Sequence, residues 1–168
     1  AILMDDRFDF SSAYIISTGC AGSAIEYGVM GDVFVITATV DYDLGHHADA
    51  RELTTDVETT WFHDESYDDA SHKILNQELC DKVYNLVKDV EIETTEKTRA
   101  FMAATFENAD WAVRDPKVLR GTTVTGDNYW KGLHGHENAL LMAKTYGCPD
   151  PYALTEMEDH AMAVVLDR

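Results

Sequence analysis

Three short stretches of the chain carry residue types that can do chemistry. "LTEMEDHAM", from Leu154 on, sets Glu156 and Glu158 either side of Met157, where a strand gives way to a helix. Thr155 and Glu158 fit the capping box S/T-x-x-E ahead of an apolar helical run, and glutamates in a helix's first turn are favoured by its dipole. Glu156 lies between apolar neighbours at a strand end, where a carboxylate taken out of water needs donors. A vicinal diol is one such partner, offering two hydroxyls to one carboxylate. "STGCAG", Ser17 to Gly22, is a turn of small residues. It either turns successive N–H groups toward an anion or is a tight connection whose glycines serve backbone geometry alone. "TGDNYW", Thr125 to Trp130, ends a strand with two aromatics that either stack on a flat ligand or cover the core.

Other candidates are weaker. His46 with His47 and His134 with His136 have no third and fourth ligand at metal-binding spacing, and i and i+2 on a helix point apart, so no metal site is expected. The three cysteines, Cys20, Cys80 and Cys148, form no CxxC pattern and indicate neither a disulfide framework nor a structural zinc. A formal charge of −18 argues against a nucleic-acid partner, which would need a basic face. No apolar run approaches the roughly 20 residues of a spanning helix. The acidic runs "HDESYDD" and "VEIETTE" read as solvated faces.

These stretches must be positioned by strands and helices. At 168 residues, 45% of them hydrophobic, the chain reads as one domain with a core of its own, residues 1–168. "AILMDD" reads as the last turn of a helix already under way, so the domain is expected to be incomplete. Ala13 to Ser17 suits a buried strand, and Val33 to Val40 is the strongest strand. From Leu44 to His72 no period is evident, and a long loop is expected. Leu75, Leu79, Val83, Leu86 and Val90 predict a helix over about Asn76 to Val90. Thr94 or Thr95 caps a second helix carrying Phe101, Met102 and Phe106. "KVLRGTTVTG" is a third strand. Leu133, Leu140, Leu141 and Lys144 mark a helix stopped by Gly147, Pro149 and Pro151, "YALTEM" is a fourth strand, and a last helix runs from near Glu158 with Met157, Ala161, Val164 and Val165 on one face. Strands alternating with helices predict an α/β fold with a mixed, mostly parallel central sheet flanked by helices.

Taken in order, "STGCAG", "GDVFVITA", "GDNYW" and "TEMED" resemble the nucleoside phosphorylase superfamily, and "ARE" at Ala50 to Glu52 with "YWKG" is most similar to its purine nucleoside permease branch. The resemblance implies a partial phosphorylase-like fold, incomplete at both ends, without membrane spans. It implies Thr18, Gly19 and Cys20 facing phosphate or the attacking water, and Tyr129 stacking on the base. Glu156, Met157 and Glu158 would line the ribose, with Glu158 accepting from its hydroxyls and Met157 packing under the sugar. The activity implied is cleavage of the N-glycosidic bond of a purine nucleoside by pentosyl transfer, with phosphate as co-substrate and no cofactor. A hydrolase using water, which Ser17 favours, and a non-catalytic nucleoside-binding or uptake protein are the alternatives. The family's general acid, an aspartate on the strand after the "EME" helix, would lie beyond Arg168. A homo-oligomer is expected on the same ground.

Overall fold

The "VFVITATVD" run forms the strand on which the sheet is built. The computed structural model describes residues 5–24, 26–53, 59–106 and 113–167. In chain order the strands are β1 (Gly22–Ser23), β2 (Val33–Asp41), β3 (His46–His47), β4 (Trp61–Phe62), β5 (His72–Ile74), β6 (Val118–Thr125) and β7 (Tyr152–Thr155). The helices are α1 (Asp68–Ser71), α2 (Gln77–Val87), α3 (Glu96–Thr105), α4 (Leu133–Thr145) and α5 (Asp159–Leu166). Five strands form one sheet in the order β1-β7-β6-β2-β5, and β3 pairs with β4 apart from it. The central strands β7, β6 and β2 are parallel, while β1 and β5 add antiparallel edges. This is the expected mixed α/β sheet.

Alternation along the paired strands β2 and β6 gives the sheet two unlike faces. Val40 lies beside Val124 and Thr39 beside Thr123. The valines are fully buried in a core with Ala139, Met142 and Ala143 of α4 and with Tyr152. The threonines, equally buried, face the other way, where Thr39 Oγ1 meets His160 Nδ1 of α5 at 3.1 Å. The start of β2 is fastened to that of β6 by Asp32. Its buried carboxylate accepts from the amides of Val29 at 2.8 Å and Lys117 at 2.7 Å and pairs with the Arg114 guanidinium.

Local signals place most helix ends. Asn76 Oδ1 accepts from Leu79 N at the start of α2, and Thr95 Oγ1 accepts from Thr98 N at the start of α3. α4 ends with Gly147 at φ +63°, its amide bonded to Lys144 O and the Cys148 amide to Ala143 O, the paired 5→2 and 6→1 bonds of a Schellman motif. Helix α2 stops at Val87, short of the expected Val90, and Leu86 and Val90 stay exposed.

Two expectations are overturned. Ala13 to Ser17 is not a buried strand: these residues have no regular structure, and Tyr14 and Ile16 are 78% and 79% exposed. The place beside β7 is taken by Gly22–Ser23, and strand propensity without a pairing edge or a face to cover makes no strand. The Leu44–His72 excursion, of which residues 54–58 lie outside the described residues, is not structureless. It holds the β3–β4 pair, two 3-10 turns and α1. Of the helix turn expected over residues 1–6, residues 1–4 also lie outside the described residues.

The excursion is pinned to the domain by Asn138 of α4, which is 1% exposed. Its Oδ1 accepts from Thr60 N at 2.8 Å and Trp61 N at 3.1 Å, while its Nδ2 donates to Thr60 Oγ1 at 2.9 Å and Tyr42 Oη at 3.2 Å. Trp61, 3% exposed, enters the core beside it. Asn138→Ala leaves the two backbone amides buried without acceptors, and is expected to lower stability by about 3 kcal/mol in urea unfolding. Amide exchange at Thr60 and Trp61 is expected to accelerate together.

Candidate functional site

Because β2, β6 and β7 run parallel, their carboxyl ends, Asp41, Thr125 and Thr155, lie along one edge of the sheet, the edge where open α/β sheets bind ligands. β1 runs the other way, and Gly22 pairs with Thr155. The antiparallel register therefore brings the "STGCAG" segment to this edge from outside, while "GDNYW" leaves β6 and "EMED" leaves β7 there. The tie between the last two is a backbone bond from Gly126 N to Glu156 O at 3.1 Å.

Glu156 is the anchor of the edge. Its Oε1 accepts from Thr123 Oγ1 at 2.9 Å and from Thr125 Oγ1, and its Oε2 accepts from the amides of Glu158 at 2.5 Å and Asp159 at 2.7 Å. The expected Thr155–Glu158 capping box does not form. Glu158 occupies the N-cap position without a side-chain cap bond, and Glu156 serves the first amides of α5 instead. The physical reason is reach. Thr123 and Thr125 present two hydroxyls on the polar face of β6, and a carboxylate that takes both lies directly over the opening turn of the helix. The carboxylate's demand for two hydroxyl donors is thus met within the protein.

With Glu156 occupied, its neighbours project outward. Met157 is 47% exposed and Glu158 is exposed. Asp159, half-buried at the first position of α5, has no hydrogen-bond donor at its carboxylate among the described residues. Burial, and then the charges of Glu156 and Glu158, push its carboxyl up to about 6. His160 is buried, with Nε2 donating to Ala70 O at 2.7 Å and Nδ1 left to accept from Thr39 Oγ1.

On the neighbouring loop Tyr129 is 84% exposed. Trp130 turns inward and stacks on Tyr42, with ring centroids 4.3 Å apart and planes 10° apart. The fit needs Gly135, since a Cβ there would stand 2.7 Å from Trp130 Cε3. Of the two aromatics, Trp130 covers the core and Tyr129 faces solvent. Thr18, Gly19 and Cys20 are all exposed, and among the described residues no hydrogen bond ties them to the Glu156–Asp159 turn.

The histidine pairs take separate partners. His46 meets Asp64 at 3.0 Å and His47 donates to Tyr42 O at 2.8 Å, while His134 faces Glu137 and His136 faces Glu26. Among the described residues no three His, Cys, Asp or Glu side chains converge as a metal would require, and no helix is long and apolar enough to cross a membrane. Cys20, Cys80 and Cys148 are free thiols.

Sequence reasoning missed Thr123, Thr125 and His160. A signal for the first two was present: "TVT", Thr123 to Thr125, alternates hydroxyl and apolar side chains, and a strand with threonines on a buried face needs a polar partner there. His160 acts across the fold and left no local pattern.

Comparison with known proteins bears on the family of the chain. Residues 1–168 match the purine nucleoside permease (NUP) family over the whole chain. The chain is 28% identical over 186 aligned residues to a probable purine nucleoside permease of Schizosaccharomyces pombe, covering 100% of this chain and 53% of that protein. It thus spans about half the length of the curated relative it matches. No solved structure matches it. The chain therefore belongs to the purine nucleoside permease family.

Proposed function

We propose that this chain carries the nucleoside-binding part of a permease-type protein, with a purine nucleoside held at the carboxyl edge of the sheet. The observation that carries the reading is the outward presentation of Tyr129, Met157 and Glu158 on two loops tied together at Gly126 and Glu156. Tyr129 stacks on the base, Met157 packs under the sugar, and Glu158 accepts hydrogen bonds from the ribose hydroxyls. Glu156, which the resemblance also places at the ribose, reaches it by holding the turn that presents the other two. Thr18, Gly19 and Cys20 face the far side of the sugar, where phosphate or water would stand.

A second reading is supported by Asp159. Cleaving an N-glycosidic bond requires a proton for the departing base, and a carboxyl that holds its proton up to about 6 beside the ribose turn is suited to supply one. Under this reading the chain transfers the pentosyl group to phosphate, as the wider nucleoside phosphorylase superfamily would, or to water.

Equilibrium titration with adenosine, inosine, guanosine and uridine tests binding. Purine nucleosides are expected to bind more tightly than uridine, and Tyr129→Ala to weaken them about tenfold. Absence of saturable binding would refute the reading. Chromatography for free base, with and without phosphate, separates binding alone from phosphorolysis and hydrolysis.

Asp159 gives a prediction of its own. Between its ordinary value of 3.8 and its folded value of about 6, the folded chain holds a proton that the unfolded chain lacks. This group therefore adds stability as pH falls from about 7 to 4, and that contribution is lost as pH rises through about 6. Asp159→Asn is expected to be more stable than the parent by about 1–2 kcal/mol at pH 8, solvent screening keeping the gain below that of a fully buried group. The gap is expected to close toward pH 4 in urea unfolding, and an equal gap at every pH would show that Asp159 holds no such proton.

A further inference from the structure

We propose that Asp43, on the extension of β2 past the sheet edge, is a positioning residue for base recognition. It acts through Tyr129, and so rests on the reading of Tyr129 as the base-stacking residue. Tyr129 itself is 84% exposed, and its placement comes from its two neighbours. Asn128 is gripped by Asp43 at both ends: the Asn128 amide donates to Asp43 Oδ2 at 3.0 Å and Asn128 Nδ2 donates to Oδ1 at 3.2 Å. On the other side, Trp130 is stacked on Tyr42, the residue before Asp43. Two consecutive residues of one strand extension therefore hold the two residues that flank the exposed ring.

The extension is itself fixed. Asp41 Oδ1 accepts from the amides of Asp43 at 2.9 Å and Leu44 at 3.1 Å, forming a side-chain turn that sets the direction of Asp43. The Tyr42 amide donates to Thr125 O at 2.7 Å, at the point where the Tyr129 loop leaves β6. Asp43 is separated from Asn128 by 85 positions, so its grip is a tertiary contact rather than a local turn. An exposed aromatic on a free loop would lose conformational freedom on stacking, and clamping both flanks removes that cost before the ligand arrives. The clamp reaches only the base loop, so its contribution is to base affinity and passes through Tyr129.

The test is a double-mutant cycle read by adenosine titration of the full chain. Asp43→Ala is expected to weaken adenosine about threefold, part of the roughly tenfold expected for loss of the Tyr129 ring, and to change affinity little further when Tyr129→Ala is already present. Asp43→Asn, which keeps an acceptor for the Asn128 amide, is expected to recover part of the loss. Asn128→Ala, at an exposed position, gives the same direction of effect should Asp43→Ala fail to fold. Full multiplication of the Asp43 and Tyr129 effects, or unchanged affinity in Asp43→Ala, would overturn this inference while leaving base binding by Tyr129 standing. No adenosine binding by the parent chain would overturn both.

Discussion

The carboxylate of Glu156 takes four donors from two parts of the fold, two threonine hydroxyls of β6 and the first two free amides at the head of α5, while its own chain continues from β7. A carboxylate so placed has its lone pairs met by donors within the fold. Removing it would leave the hydroxyls and the helix start without acceptors at once. The turn that follows, with Met157 and Glu158 facing outward, depends on this one group for its shape. The rest of the edge is tied to it through the Gly126–Glu156 backbone bond.

The same interaction explains the chemistry of the two faces of the sheet. One face is mainly apolar, where Val40 and Val124 pack against Met142 and Ala139. The other carries Thr39, Thr123 and Thr125, whose hydroxyls are spent on His160 and Glu156. An all-apolar second face would bury α5 as well, yet it would have nothing to hold a carboxylate at the carboxyl edge of the sheet. The polar face is how the interior reaches out to orient a surface turn.

The edge is also where like charges gather. Glu156, Glu158 and Asp159 lie within four positions on a chain whose formal charge is already −18. Four donors keep Glu156 comfortable and solvent reaches Glu158, so the repulsion falls on Asp159, the half-buried member without a donor. The loop after β6 shows the opposite treatment, with Asp43 and Tyr42 removing freedom from the residues around Tyr129.

Local sequence determined the elements whose causes are local. The β-branched run of β2, the Asn76 and Thr95 caps and the Gly147 stop act within a few residues, so strand, caps and helix end could all be read from their own neighbourhoods. "TGDNYW" and "TEMED" were legible as stretches at strand ends for the same reason. Tertiary structure decided what depended on partners far along the chain. Ala13 to Ser17 has strand-forming side chains but no edge to pair with, because Gly22–Ser23 holds the place beside β7. Thr155 and Glu158 satisfy a capping pattern, but Thr123 and Thr125, some thirty positions upstream, draw Glu156 over the helix start and displace it. Which of Tyr129 and Trp130 turns inward was fixed by Tyr42 and Gly135, neither of them adjacent in sequence. Propensity and spacing state what a segment is able to do, and the competition for donors, edges and space in the folded chain selects among those possibilities.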